Sequence, residues 1–221
     1  DMDSTIDFKN NDDLAFFGKV NASISHELKN ILAIISEAAG LLNDLTDMAS
    51  KGGNFEVEMI QTCSKDIVEE IQRGFATIKK MNTFSHSADD PLKRVNLVEV
   101  LDLMIHLARF LSFASKVRFD PPEEAAPIVL TCPWRLQNLI YQALVYGFES
   151  VGPDGEIQVS LHPQKEGSAR ITFSGLGKNS ARRFPVDQTR QIAASINAEI
   201  GMTGDSHVLD ILVPQYIESM R

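Results

Sequence analysis

Two long stretches of the chain repeat their apolar residues at helical spacing. The first runs from Leu14 to about Ala49, and its apolar positions are Phe17, Val20, Ile24, Leu28, Ile31, Ile35, Leu42 and Leu45. The second follows Lys51-Gly52-Gly53, and its apolar positions are Phe55, Met59, Cys63, Ile67, Ile71, Phe75, Ile78 and Met81. Because glycines separate the two patterns, they predict a helical hairpin over residues 14–86.

Two amphipathic helices of about 30 residues each cannot enclose a hydrophobic core by themselves. Both apolar stripes are buried most simply when two hairpins associate into a four-helix bundle. We therefore expect the chain to form a homodimer through the hairpin.

The pattern changes after Asp89-Asp90-Pro91, which is typical of a linker. Helices are predicted at 97–113, 134–151 and 189–196, and strands at 117–119, 128–130, 156–161, 169–174 and 208–213. Helices interleaved with strands in this order favour an α/β sandwich over residues 95–216, with one sheet covered by helices on one face. The fold class expected for the whole chain is α+β.

Composition limits the classes of partner. The chain has 221 residues, 43% of them hydrophobic, and a formal net charge of −9, which argues against a nucleic-acid partner. No apolar run approaches the ~20 residues that cross a bilayer, so we expect no membrane association. Cys63 and Cys132 have no partner pattern, as in proteins of a reducing compartment, so a cytoplasmic location is expected. A fragment of a larger protein would have the same composition.

One polar residue of the first helix has chemical potential. On an ideal wheel with ~100° per residue, the apolar positions lie roughly 140–200° from His26, so the imidazole points away from the core. The side that it occupies carries small or polar residues, namely Lys19, Ala22, Ser23, Asn30, Ala33 and Glu37. A neutral imidazole keeps a nucleophilic lone pair near neutral pH. The wheel alone fits both a solvated surface histidine and a histidine that a docking protein reaches.

The residues around His26 add to this picture. Ser25-His26-Glu27-Leu28-Lys29-Asn30, preceded by Phe16-Phe17, resembles the phosphoacceptor box of two-component histidine kinases. That family carries the box near the start of the helical hairpin of its dimerisation and phosphotransfer domain. The resemblance implies that His26 takes and gives a phosphoryl group and that Glu27 polarises the imidazole as a base. It also implies that Asn30 orients water when the domain acts as a phosphatase.

The resemblance further implies a partner and a docking face. A response regulator receiver domain is expected beside the first helix, over the side that holds His26, with Ala22, Ser23 and Ala33 as docking residues. Mg²⁺ is expected in the acidic pocket of that receiver rather than on this chain.

The second half resembles the ATP-binding domain of the same family in the order of its elements, but three features are missing. Gln142 stands where the family has the asparagine that holds Mg²⁺, and its side chain is one methylene longer. Gly175 replaces the aspartate that binds adenine, and we interpret Gly175 and Gly177 as turn glycines. No glycine lies between Lys178 and Arg190, where the family has a phosphate-binding lid.

These departures lead to a specific hypothesis. We expect no intrinsic cofactor or metal, and a histidine phosphotransferase that relays phosphoryl groups between His26 and receiver aspartates without ATP-dependent autophosphorylation. Two alternatives remain open. One is a sensor histidine kinase core with a diverged ATP site, and the other is a non-catalytic dimeric adaptor or phosphatase for a response regulator.

Overall fold

The computed structural model divides the chain into two compact units. Gly18–Thr83 form a helical unit, and Asp1–Phe17 together with Phe84–Arg221 form an α/β unit. The described residues are 11–53, 56–109, 115–122, 125–177, 184–203 and 207–217. Phe55, the end of the helix predicted to reach Phe113, and the lid residues 178–183 lie outside them.

The helical unit is the predicted hairpin. It is made from α1 (Asn11–Ser50) and α2 (Val57–Ser85), except for the outer turns that belong to the α/β unit. α1 ends at a glycine turn in which the Gly53 amide donates to the Met48 carbonyl at 2.9 Å. Gly52 has φ +78°, a left-handed conformation that glycine adopts without steric cost.

The two helices of the hairpin bury one side against each other. The buried positions combine apolar and small residues: Val20, Ile24, Ile31, Ala38 and Leu45 on α1, and Cys63, Gly74 and Thr77 on α2. These residues repeat at helical spacing, as the sequence pattern predicts, because one side of each helix faces the other. Gly74 does not interrupt α2.

A second apolar side of the hairpin is exposed. Its large side chains include Leu32, Val68, Ile71, Phe75 and Ile78, of which Phe75 is 69% exposed. The stripe predicted for α2 is therefore only partly covered within one chain, since Ile67 and Met81 are half-buried and Ile71 is not buried. Exposed apolar patches of this kind are typical of association surfaces. The homodimer remains a prediction.

The described residues of the α/β unit form three further α-helices and seven strands. Its helices are α3 (Leu97–Ala108), α4 (Pro133–Val151) and α5 (Asp187–Ser195). Its strands are β1 (Lys93–Asn96), β2 (Lys116–Asp120), β3 (Ile128–Thr131), β4 (Glu156–Pro163), β5 (Ala169–Ser174), β6 (Glu199–Thr203) and β7 (Val208–Val213). β1 and β3 pair antiparallel, and the other five form a sheet in the order β2-β4-β5-β7-β6. Only β2 and β4 are parallel neighbours in that sheet.

The central strands alternate between a buried and a polar face. The buried positions are Ile157, Val159, Leu161, Ile171, Phe173, Leu209, Ile211 and Val213. Between them stand polar residues such as Gln158, Thr172 and Asp210, which is the period expected of a sheet with one covered face. α4 is buried along most of its length and contacts both α3 and α5. The expected α+β fold, a helical hairpin followed by an α/β sandwich, is confirmed.

The α/β unit also includes both outer ends of the hairpin helices. Phe16 of α1 packs on Phe84, Trp134 and Tyr141, with ring centroids 5.0–5.4 Å apart. The Trp134 indole donates a hydrogen bond to the buried carboxylate of Asp13 at 3.1 Å, and burial raises the pKa of Tyr141 to about 12. This cluster explains why the compact helical unit is shorter than the 14–86 segment predicted from the sequence.

No helix in the described part of the chain is both long enough and apolar enough to span a lipid bilayer.

Candidate functional site

His26 lies on the exposed side of α1. One turn later, Asn30 places its Nδ2 atom 3.4 Å from His26 Nδ1, since side chains four residues apart are neighbours on a helix. A carboxamide has a donor at one end and an acceptor at the other, so Asn30 serves either imidazole tautomer by turning about its last bond. The structure thus brings together the side chains of two of the three residues proposed from the sequence.

The surroundings of His26 agree with the wheel at two of the three predicted docking positions. Ala22 and Ala33 are exposed. Ser23 is only 8% exposed, so it does not belong to the exposed face. The reason is its angle on the helix, about 60° from His26 toward the side that packs on α2. The helical wheel treated the apolar positions of α1 as one side opposite His26. It therefore placed the edge of the buried side too far from Ser23.

Glu27, the residue after His26, has its carboxylate largely buried. Arg73 on α2 donates to Glu27 Oε1 through Nε at 2.9 Å, and its Nη2 forms an ion pair with the same oxygen at 2.8 Å. The same guanidinium donates through Nη1 to Glu70 Oε1 at 2.8 Å. The Glu27 and Glu70 side chains are 10% and 14% exposed, whereas that of Arg73 is 41% exposed. One cation therefore serves two nearly buried carboxylates.

Sequence reasoning missed Arg73 and Glu70. Their spacing of three residues on one helix was a signal for an ion pair between them. Nothing local indicated the bond to Glu27, because 46 residues separate Arg73 from it. The pairing depends on how the two helices are aligned in the hairpin.

In the α/β unit, Gln142 is committed to hydrogen bonds within the protein. Its Nε2 donates to Asn138 Oδ1 at 3.0 Å, and its Oε1 accepts from the buried Thr189 hydroxyl at 2.5 Å. A Mg²⁺ ion at Gln142 or Asn138 would have to share oxygens that already accept hydrogen bonds, and octahedral Mg²⁺ needs correctly placed oxygen ligands. The absence of a Mg²⁺-nucleotide site here stays a prediction.

The two glycines after β5 are required by the backbone. Gly175 has φ +80°, and a Cβ atom there would lie 2.7 Å from the carbonyl oxygen of Glu156. A Cβ atom at Gly177 would collide with the carbonyl oxygen of Ser150. Both positions thus serve a tight turn, and neither supplies a carboxylate for an adenine amino group. This supports the interpretation of the pair as turn glycines.

The segment before α5 packs on α4 through aromatic rings. Phe184 stacks on the largely buried Tyr146 with centroids 4.5 Å apart and an angle of 10° between the ring planes. Lys178, Arg182 and Arg183, which sequence analysis places in the lid, lie outside the described residues. Among the residues that are described, no group of three or more His, Cys, Asp or Glu side chains is placed to hold a metal ion.

No protein-family model and no curated protein matches this chain. Among solved structures, it is similar to the catalytic domain of histidine kinase ThkA at 14% identity, over 57% of this chain and 99% of that chain, with a TM-score of 0.47. It is similar to the mycobacterial sensor histidine kinase MprB at 13% identity, over 57% of this chain and 98% of that chain, with a TM-score of 0.46. It is also similar to the Acinetobacter baumannii histidine kinase AdeS at 9% identity, over 86% of this chain and 98% of that chain, with a TM-score of 0.46. With TM-scores below 0.5, these similarities carry no argument about what this chain does.

Proposed function

We propose that the chain is a cytoplasmic histidine phosphotransferase that relays a phosphoryl group between His26 and receiver-domain aspartates. One observation carries the proposal. The imidazole of His26 is exposed on α1, exposed alanines lie one turn before it and two turns after it, and Asn30 contacts its Nδ1 atom. Small neighbours leave space for a docking protein, and a held ring presents its other nitrogen in one direction.

The chemistry is a displacement at phosphorus. Nε2 of the neutral imidazole attacks the aspartyl phosphate of the receiver, the N–P bond forms, and the bond from phosphorus to the aspartate oxygen breaks. The aspartate leaves with the bonding electron pair, and the reverse reaction returns the phosphoryl group. Mg²⁺ in the acidic pocket of the receiver offsets charge on the phosphoryl oxygens.

Two residues of this chain assist that step. After its carboxamide turns by about 180°, Asn30 accepts a hydrogen bond from His26 Nδ1–H through Oδ1, and this tautomer has its lone pair on Nε2. The ring gains positive charge as the N–P bond forms. Glu27 supplies the neighbouring negative charge that offsets it.

The phosphoryl group is proposed to come from another protein rather than from ATP. The support comes from two positions at which the kinase resemblance implies Mg²⁺-ATP binding. Both ends of the Gln142 carboxamide form hydrogen bonds within the protein. Gly175 has no carboxylate, and the backbone leaves no room for a side chain there. A second copy of the chain is the proposed partner for the exposed apolar side of the hairpin. Response regulator receiver domains are the proposed partners for the face around His26.

Two donors, compared in parallel, test the proposal. The protein is incubated with a labelled phosphorylated receiver in one arm and with labelled Mg²⁺-ATP in the other. We expect acid-labile label on the wild type from the receiver and none from ATP, and no label on His26→Ala from either donor.

The other outcomes identify the alternatives. Label on His26 from ATP would favour a sensor histidine kinase core with a diverged ATP site. Dephosphorylation of the receiver without labelling, retained in His26→Gln, would favour the dimeric adaptor or phosphatase.

A further inference from the structure

Glu27, the residue after the proposed phosphoacceptor, has its carboxylate contacted from the other helix of the hairpin. Glu27 Oε1 accepts a hydrogen bond from Arg73 Nε at 2.9 Å and lies 2.8 Å from Arg73 Nη2, while only 10% of the Glu27 side chain is exposed. A buried carboxylate is held in place most firmly when a cation contacts it at hydrogen-bond distance. Arg73 therefore fixes the place of the Glu27 oxygen that it contacts.

Arg73 is itself fixed by a second carboxylate. Its Nη1 atom donates to Glu70 Oε1 at 2.8 Å, so two edges of the planar guanidinium are held. A lysine ammonium at this position has no second edge and cannot reproduce the arrangement. The three side chains thus form one unit, Glu27-Arg73-Glu70, with a net charge of −1 when all are ionised.

We propose that Arg73 is a positioning residue for phosphoryl transfer at His26 and that it acts through Glu27. This inference rests on the proposed function. Arg73 keeps the Glu27 carboxylate in one rotamer while the ring of His26 gains positive charge during attack on phosphorus. Arg73 itself does not touch the phosphoryl group, and its effect on the rate depends on the presence of the carboxylate.

Single-turnover transfer from a phosphorylated receiver measures this role. Arg73→Ala should lower the rate constant at saturating receiver by about tenfold to a hundredfold, as loss of positioning does elsewhere, with the half-saturating receiver concentration unchanged. Arg73→Lys should recover part of the rate. The double variant Glu27→Gln/Arg73→Ala should be no slower than Glu27→Gln alone, because the guanidinium has no carboxylate left to hold.

The chain offers a matched control on the same helix. Lys65 and Glu69 form an ion pair at 3.5 Å in which both side chains are largely exposed. Lys65→Ala removes one cation from α2 and should transfer at the wild-type rate.

Two results overturn the role of Arg73. In the first, folded Arg73→Ala transfers at the wild-type rate. In the second, the rate reductions of Arg73→Ala and Glu27→Gln multiply in the double variant.

If Arg73→Ala does not fold, Arg73→Lys and Glu70→Gln provide the same test. Each should transfer more slowly than the wild type, and an unchanged rate would contradict the role of Arg73. A wild type that never accepts a phosphoryl group overturns the proposed function and this inference together, whereas a labelled wild type isolates the role of Arg73.

Discussion

The two regions that the kinase resemblance singles out differ in where their polar groups point. Around His26, the imidazole and its alanine neighbours face outward on α1. Around Gln142, the carboxamides of α4 and the hydroxyl of Thr189 bond to one another inside the α/β unit. Oxygens that already accept hydrogen bonds within the protein are less available to a ligand, because one of their two lone pairs is in use.

This difference shows that the order of the elements does not by itself predict a nucleotide site. α4 and β5 lie where the sequence predicts them, while Gln142 bonds to its neighbours and Gly175 serves a turn. In the hairpin, by contrast, the imidazole of His26 lies at the surface. The following changes break or sharpen this contrast.

The largest effect is expected on the exposed apolar side of the hairpin. The wild type should be a dimer at micromolar concentration, with twice the 24.5 kDa chain mass by light scattering. Ile71→Asp should make it a monomer, because a carboxylate in a dry seam costs several kcal/mol. Thr62→Asp, at an exposed polar position on α2 about 180° from Ile71 around the helix, is the control and should remain a dimer. A wild-type mass of 24.5 kDa at high concentration would contradict the four-helix bundle.

A carboxylate introduced at Gly175, after β5, tests the region of the α/β unit where the kinase resemblance implies a nucleotide site. Gly175→Asp should lower the free energy of unfolding by about 3 kcal/mol, since a side chain there adopts a left-handed backbone and meets the Glu156 carbonyl. Calorimetry should still detect no Mg²⁺-ATP binding. Gly201→Ala is the control, because a Cβ atom at Gly201 has no atom within 4 Å. Micromolar ATP affinity of the wild type or of Gly175→Asp would overturn this part of the account.

A large side chain introduced beside His26 tests the proposed docking face. Ala33→Arg should slow transfer from a phosphorylated receiver by about a hundredfold, or about 2.7 kcal/mol, because a long side chain keeps the receiver loops from His26. Labelling by a small-molecule phosphodonor should be unchanged, since it needs no docking. Ala33→Ser retains a small side chain and should behave as the wild type. Normal transfer by Ala33→Arg would mean that the docking face lies elsewhere.

The smallest effect concerns a polar cluster that stabilises the sheet. Burial raises the pKa of Asp210, but hydrogen bonds from Thr172 and Thr203 and the charge of Arg170 outweigh it, so the pKa lies below its ordinary value. A carboxyl group of this kind stabilises the fold above its unfolded-state pKa, and the stabilisation is lost as pH falls through the folded pKa.

Asp210→Asn should therefore lower the unfolding free energy by less than about 1 kcal/mol at pH 7. Denaturation at pH 7 and at pH 3 should show that the difference from the wild type shrinks in acid. A difference that grows toward pH 3 would contradict the assigned role of this carboxylate.

Much of the fold could be predicted from local patterns. β5 was predicted with its observed bounds, Ala169–Ser174, because apolar and polar residues alternate without exception there. β1 and β6 were missed. They have four and five residues, and neither shows a clear alternation of buried and exposed positions, so only pairing with a neighbouring strand defines them.

The candidate site was predictable only in part. The exposure of His26 and its contact with Asn30 follow from positions along one helix. The burial of Ser23 and the bond between Glu27 and Arg73 depend on how α1 meets α2, and no pattern within one helix contains that information. The expectation that Ser23 lies on the exposed side is wrong for this reason, and its docking role stays a prediction.

Direct mapping of the phosphorylated residue is the most decisive measurement. The wild type is exposed to a phosphorylated receiver, kept at neutral pH to preserve phosphohistidine, and digested for mass spectrometry. The account predicts phosphate on His26, with none on the other histidines of the chain. Phosphate on another residue, or an equally phosphorylated His26→Ala variant, would contradict the assignment of His26 as the phosphoacceptor.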